Sequence, residues 1–150
     1  MKLRLRDIET TDMDLLFKWA NDPTVRQNAF NTEPIPYENH RAWFARMLAD
    51  KDIEQYILCD GEIPLGQIRL NVEDDKAVID YSIDKEWRGK GLGVRMVLMA
   101  EEELKNKKTD VIYSMAQVKH ENTASARVFE KCGYDAEKYE KYIEFTKRIR

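Results

Sequence analysis

The segment Asp80-Tyr-Ser-Ile-Asp-Lys-Glu-Trp-Arg88-Gly89-Lys90-Gly91-Leu92-Gly93-Val94-Arg95 constrains this chain more than any other. A run of strand character ends, three glycines interleave with Arg88, Lys90 and Leu92, and a helical pattern begins. Glycine tolerates positive φ and lets another molecule approach the backbone closely. A turn built this way aims consecutive backbone N–H groups at one point. The helix that follows adds its unpaired amides and the positive end of its dipole. Such a strand–turn–helix makes an anion site suited to a phosphate or pyrophosphate. The spacing is neither G-x-x-x-x-G-K-[ST] nor G-x-G-x-x-G, so the phosphate-loop and dinucleotide patterns both fail. On this segment alone, a glycine-rich helix start with solvated Arg88 and Lys90 remains the alternative.

The chain around it has 150 residues, which predicts one domain over 1–150 with one core. Twenty-five basic against 28 acidic residues leave a net charge of −3, without the basic surface that duplex nucleic acid would select. No run approaches the ~20 apolar residues that span a bilayer. The N-terminal MKLRLRDIETTD lacks the apolar stretch of a signal peptide. These features predict a soluble, cytoplasmic protein with neither a nucleic-acid nor a membrane partner. Cys59 and Cys132 have no C-x-x-C spacing and no histidine cluster beside them, so they read as reduced, buried thiols, and no metal site is expected.

Periodicity supplies the frame. Lys2–Arg6 alternates as a short strand, and Thr10-Thr11-Asp12 offers an N-cap for a helix carrying Leu15, Leu16 and Trp19. Asn21-Asp22-Pro23 breaks that helix, and Thr24–Pro36 reads as a loop. Tyr37–Ala49 is helical, with His40, Trp43, Phe44, Met47 and Leu48 on one face. Strands are predicted over Glu54–Cys59, Pro64–Val72 and Ala77–Ile83, joined by the turns at Asp60-Gly61-Glu62 and Asp74-Asp75-Lys76. Gly91–Lys105 is a long helix, Val111–Val118 a strand, Asn122–Lys131 a helix closed by Gly133, and Tyr142–Thr146 a last strand. Successive strands predict an antiparallel meander, and the later strand–helix–strand unit predicts a parallel pair.

Arg88-Gly-Lys-Gly91-Leu-Gly93 resembles the pyrophosphate pattern Gln/Arg-x-x-Gly-x-Gly/Ala of the GNAT N-acetyltransferases. Downstream, Val118-Lys-His-Glu-Asn122-Thr-Ala-Ser125-Ala-Arg-Val-Phe129-Glu-Lys-Cys-Gly133-Tyr134 is similar to the family's strand, Asn-capped helix and Gly-aromatic close. The resemblance implies an α/β fold: a mixed, mostly antiparallel twisted sheet with helices on both faces and a splayed strand pair holding acetyl-CoA. It implies acetyl-CoA as co-substrate, its pantetheine arm along the strand near Ile83 and its pyrophosphate on Arg88, Gly89, Lys90, Gly91, Leu92, Gly93 and Val94. Asn122 takes the family position that reaches the pantetheine, or is a plain helix cap. Phe129 takes the position beside the departing sulfur.

Family chemistry is direct attack of an amine on the thioester, which needs a base, an oxyanion donor and an acid for the thiolate. Two departures matter here. The usual tyrosine acid is Phe129, and the usual glutamate base is Gln117. Ser125 and Tyr81 are the substitute donors, with Asp80 or water as substitute base. The N-terminal third resembles the subgroup that acetylates nucleotide-linked amino sugars of the pseudaminic and legionaminic type. That resemblance assigns Arg26 to a diphosphate, Phe30 to stacking, and Asn28, Glu33 and His40 to hydroxyls. The partner expected is thus a small-molecule amine, and a homodimer is among the assemblies open to the chain. A protein N-terminal or ribosomal-protein acetyltransferase and a non-catalytic acetyl-CoA-binding module are the competing readings.

Overall fold

The computed structural model describes residues 1–150. Its sheet has seven strands in the order β1-β2-β3-β4-β5-β7-β6. The strands are β1 (Leu3–Asp7), β2 (Ile53–Asp60), β3 (Ile63–Glu73), β4 (Lys76–Ile83), β5 (Tyr113–Val118), β6 (Asp135–Lys138) and β7 (Ile143–Arg148). The helices are α1 (Met13–Ala20), α2 (Pro23–Asn28), α3 (Tyr37–Ala49), α4 (Leu92–Lys107) and α5 (Thr123–Lys131). All pairings are antiparallel except that of β4 with β5, the pair bridged by α4. A mixed sheet with helices on both faces was the sequence expectation, and it is what the chain adopts.

Alternation along the strands divides the apolar side chains between two faces. Leu58, Ile68, Leu70, Ala77, Ile79, Ala116 and Phe145 point to one side and pack under α4 and α5 with Met96, Val97, Ala100, Leu104 and Phe129. Ile57 and Cys59 point to the other and meet Leu16, Trp19, Phe44 and Met47 of α1 and α3. Both cysteines are free and buried. Glu101 on α4 is buried and satisfied: its carboxylate accepts from the Tyr134 hydroxyl at 2.8 Å and from Lys147 Nζ at 2.7 Å.

Four local details differ from expectation. Asp12 is the N-cap of α1, within the stretch expected to supply it, but its side chain bonds no first-turn amide of that helix and instead closes a capping box with Glu9 across the 3-10 turn Thr10–Asp12; Asp12 also takes both Arg6 nitrogens at 2.8 Å. The stretch from Thr24 on, read as loop, begins inside α2. Asp22 caps that helix by accepting from Thr24 N and Val25 N, and Pro23 fits its first turn. Strand β6 is exposed along its whole length, so no buried alternation marked it. Leu48, expected on the inner face of α3, is exposed.

One irregularity shapes the function. Strands β4 and β5 pair only over Lys76↔Tyr113, Ala77↔Ser114 and Val78↔Met115. Beyond Val78, β4 keeps β3 as partner through Ile83, while β5 keeps β7 through Val118. The strands therefore part over Ile79–Ile83, which leaves a wedge lined by unpaired backbone groups of β4, the splayed strand pair that the resemblance implied.

Candidate active site

The wedge leads directly into the glycine turn. Gly89 and Gly91 both have φ of 77°, a left-handed conformation that favours glycine. Gly91 is the N-cap of α4 and offers no side chain to its first-turn amides. A Cβ at Gly89 or Gly91 would meet no atom within 4 Å, so the ground above these amides is open. Open amides, the positive end of a 16-residue helix and exposed Lys90 together make an anion cradle.

Gly93 differs. It is buried in the first turn of α4, and a Cβ there would lie 3.1 Å from Val128 Cγ2 and 3.5 Å from Tyr81 Cε2. Its side-chain position belongs to the packing of α4 on α5 and β4, and only its backbone is turned to the cradle's chemistry. The Leu92 side chain likewise sinks into the core, and Val94 packs against the same core. Arg88 corrects the expectation of a phosphate ligand. Its Nη2 donates to Asp22 Oδ1 at 2.8 Å and its Nε to the Ile83 carbonyl at 3.0 Å. It is a strut between the glycine turn and the cap of α2. Hydrogen bonds from Arg88 and from two backbone amides hold the Asp22 carboxyl below the usual carboxylate range, although burial pushes it the other way.

On the α4/α5 side of the wedge, Tyr81 and Ser125 come together, with Oη and Oγ 2.9 Å apart. Burial pushes the Tyr81 phenol up to about 12, against a smaller downward pull from its bond to Ser125. Phe129 corrects the expectation that it lines the sulfur's path. It is 2% exposed, packed against Tyr134, Phe145 and the edge of Tyr81, with ring centroids 5.0, 5.5 and 5.9 Å away. The phenol beside α5 therefore stands on β4, at Tyr81. Phe129→Tyr would bury a hydroxyl in that aromatic cluster, and about 1–3 kcal/mol of lost stability is expected in urea unfolding. A variant as stable as the parent and faster in turnover would show that a hydroxyl there reaches the wedge. Asn122 caps α5, its Oδ1 accepting from Ser125 N at 3.2 Å, and so helps place that serine.

The opposite side of the wedge faces α1 and α3. Asp80, a candidate base, points there and is held by Arg69 at 2.8 Å, while Arg69 also lies over the Trp43 ring. Its ionic partner and exposed position make it a surface strut. Ser82 accepts from Gln67 Nε2 at 3.2 Å. Two acceptor-site expectations are corrected by the packing. Arg26 donates to the carbonyls of Ala20, Asn31 and Glu33, which clamps the α2–α3 loop and leaves it poorly placed for a diphosphate. His40 is 3% exposed, with Nε2 2.9 Å from the Met13 carbonyl oxygen, a structural contact between α3 and α1. Glu33 is exposed on that loop, and Phe30 is exposed with its ring edge against Tyr142.

Asn28 does reach a cavity. A groove of about 700 Å³ opens at the C-terminal end of β5, where β5 has left β4. Helix α2 contributes Thr24, Gln27 and Asn28; the β5–α5 connection contributes Lys119, His120 and Asn122; the β6–β7 turn contributes Glu140 and Lys141. Lys119 bonds the Gln27 carbonyl across the groove at 3.1 Å. These charged turn residues follow no sequence pattern, so only the fold could gather them.

Comparison with known proteins shows the family and the fold. The family model described as the acetyltransferase (GNAT) domain matches residues 2–135. The chain belongs to the GNAT acetyltransferase family. It is an acetyl-CoA-dependent N-acetyltransferase. No curated protein matches the sequence. Among solved structures, spermidine N-acetyltransferase from Vibrio cholerae, with CoA and spermine, superposes with a TM-score of 0.86 at 17% identity, over 97% of this chain and 95% of that one. The aminoglycoside acetyltransferase AAC(6')-Ib with ribostamycin and coenzyme A gives 0.85 at 18% identity, over 99% and 94%. The ribosomal-protein alpha-N-acetyltransferase RimL with coenzyme A gives 0.85 at 14% identity, over 99% and 94%. At these identities the likeness is one of fold.

Proposed function

We propose that this N-acetyltransferase acetylates the primary amine of a nucleotide-linked amino sugar. The groove at the end of β5 carries the reading. Its volume, about 700 Å³, suits a ligand larger than a free monosaccharide. Lys141, and the ammonium donors that Lys119 keeps beyond its bond to the Gln27 carbonyl, offer cationic contacts for a diphosphate beside the Glu121 and Glu140 carboxylates of the same lining, and Thr24, Gln27 and Asn28 offer partners for hydroxyls. The pyrophosphate of acetyl-CoA takes the amides of Gly89–Val94, and its pantetheine arm pairs with Ile79–Ile83 as an added strand. The amine reaches the thioester from the α1/α3 face. Backbone N–H groups near Tyr81–Ile83 receive the developing oxyanion, and the Tyr81–Ser125 pair protonates the leaving thiolate.

The test is a thiol-release screen of a UDP-linked amino sugar, the free amino sugar, spermidine and N-terminal peptides. The nucleotide form is expected to have the highest kcat/KM, and equal or better turnover of the peptides would sink the reading. Binding of the co-substrate has its own measurement. Acetyl-CoA at a hundredfold excess over Kd adds about 2.7 kcal/mol, roughly 5–10 °C in Tm for a chain of this size. An unmoved melting temperature would contradict the cradle.

A further inference from the structure

We propose that Glu144 on β7 is the general base that takes the proton from the acceptor's ammonium group, given, as proposed above, that the amine enters from the α1/α3 face. Gln117 lies two residues beyond Met115, the last β5 residue paired with β4, so it borders the wedge. Its neighbours Ala116 and Val118 sink into the α4/α5 core, which turns Gln117 to the opposite, acceptor face. The β5–β7 register sets Gln117 directly against Glu144. Directly opposed residues on antiparallel strands share a face, with Cβ atoms roughly 4.5–5.5 Å apart. Glu144 therefore brings a half-buried carboxylate to the neighbourhood where Gln117 supplies only an amide.

The other carboxylates along the wedge are engaged or lie farther from it, while Glu121 and Glu140 line the groove from the turns beyond the ends of β5 and β6. Asp80, across the wedge, is held by Arg69. Glu101 lies on the other face, bound to Tyr134 and Lys147. Glu137 stands opposite Glu144 but one strand farther from the wedge, on a strand exposed along its whole length. Glu144 itself has neither an ion-pair partner nor a side-chain hydrogen bond. The groups sharing its face are Gln117 and Met115 on β5, Glu137 and Asp135 on β6, Thr146 and Arg148 on β7, and Tyr142 and Tyr139 at the hairpin end. Like charges directly opposed across two strands repel. An ammonium arriving beside Glu144 meets a carboxylate that has no cation bound to it. In the step itself, an ammonium N–H bond breaks, the proton passes to a Glu144 oxygen, and the freed lone pair attacks the thioester carbon. The C–S bond then breaks and the thiolate takes its proton from the Tyr81–Ser125 pair; the surplus proton on the acylated nitrogen leaves to solvent, water reprotonates the pair, and Glu144 returns its proton to water, so that one proton is released per turnover.

Thiol release followed from pH 6 to 10, with the UDP-linked amino sugar, D-glucosamine and spermidine as acceptors, tests the assignment. Glu144→Gln is expected to lower kcat/KM about 100-fold at pH 7 with acetyl-CoA affinity unchanged. The deficit should shrink below about tenfold near pH 10, where solvent itself strips the proton from an alkyl ammonium. Moving the carboxylate across the strand pair, Gln117→Glu with Glu144→Gln, should recover at least about tenfold, and Glu137→Gln should stay within about threefold of wild type. A Glu144→Gln rate within threefold of wild type at pH 7, or a deficit that ignores pH, overturns Glu144 as base while the acceptor reading stands. A wild type that binds acetyl-CoA but turns over none of the three acceptors overturns the acceptor reading, and Glu144 with it.

Discussion

Tyr81→Phe is expected to lower kcat about 10³-fold while leaving acetyl-CoA affinity within a fewfold of wild type. General acid catalysis is typically worth 10²–10⁴-fold, and the Tyr81 phenol is the donor the chain places beside α5 once Phe129 has gone into the core. With the phenol pushed up to about 12 by burial, the proton is present across the whole working range. The sign for stability follows. A group raised in the folded state adds its stability in full below the unfolded value near 10, and loses it as pH rises from there through 12. No basic limb in the rate below pH 10 is therefore assigned to Tyr81. Ser125→Ala should cost less, about tenfold, because the phenol remains and loses only its neighbour. Single-turnover thiol release and CoA titration measure the two quantities apart. Wild-type kcat in a folded Tyr81→Phe protein would remove the phenol from the mechanism.

How much of this was legible beforehand depended on whether the signal was local. The glycine turn, the Asn122 cap and the meander followed by a parallel pair are written in short stretches, and the structure has them where the sequence placed them. The wedge followed from the resemblance, because nothing in Ile79–Ile83 says that β5 leaves it. Side-chain partners were hidden for a physical reason. Arg88, Arg26 and His40 look like ligands in a list of polar residues, yet each satisfies neighbouring carbonyls or carboxylates that only the folded chain brings near. Buried polar groups must find partners, and the nearest ones take them. Glu144 was missed for the converse reason: its value lies in a cross-strand register that no spacing in the chain reveals.

Arg88 also ties the glycine turn to the helix that lines the groove. Through Asp22 it fixes the cap of α2, whose Gln27 and Asn28 line the groove, and through Ile83 it fixes the end of the wedge. Trp19 adds a parallel tie, its Nε1 donating to Asp84 at 2.8 Å. The glycine turn is thus anchored on the acceptor side before any anion arrives, which favours a preorganised site.

Gly91→Val is expected to weaken acetyl-CoA binding about 10³-fold with the fold retained. Two effects add. A β-branched residue held at φ of 77° costs roughly 1–3 kcal/mol, which the turn relieves by moving its amides. The new side chain would also stand in the open ground above those amides, where each charge-assisted hydrogen bond to a phosphate is worth about 1.5–3 kcal/mol. About 4 kcal/mol in all corresponds to the stated loss. Gly93→Val separates the cradle from the packing behind it. Its backbone is not left-handed, but its Cβ would press on Val128 at 3.1 Å and touch the Tyr81 ring at 3.5 Å, so the branches beyond it meet filled space. About 1–3 kcal/mol of stability should be lost to overpacking, and turnover should fall further as the Tyr81 hydroxyl is pushed from Ser125. Calorimetric titration with CoA and urea unfolding of both variants distinguish these outcomes. A folded Gly91→Val protein that binds CoA as tightly as wild type would mean that the pyrophosphate lies elsewhere, and that the turn serves only to start α4.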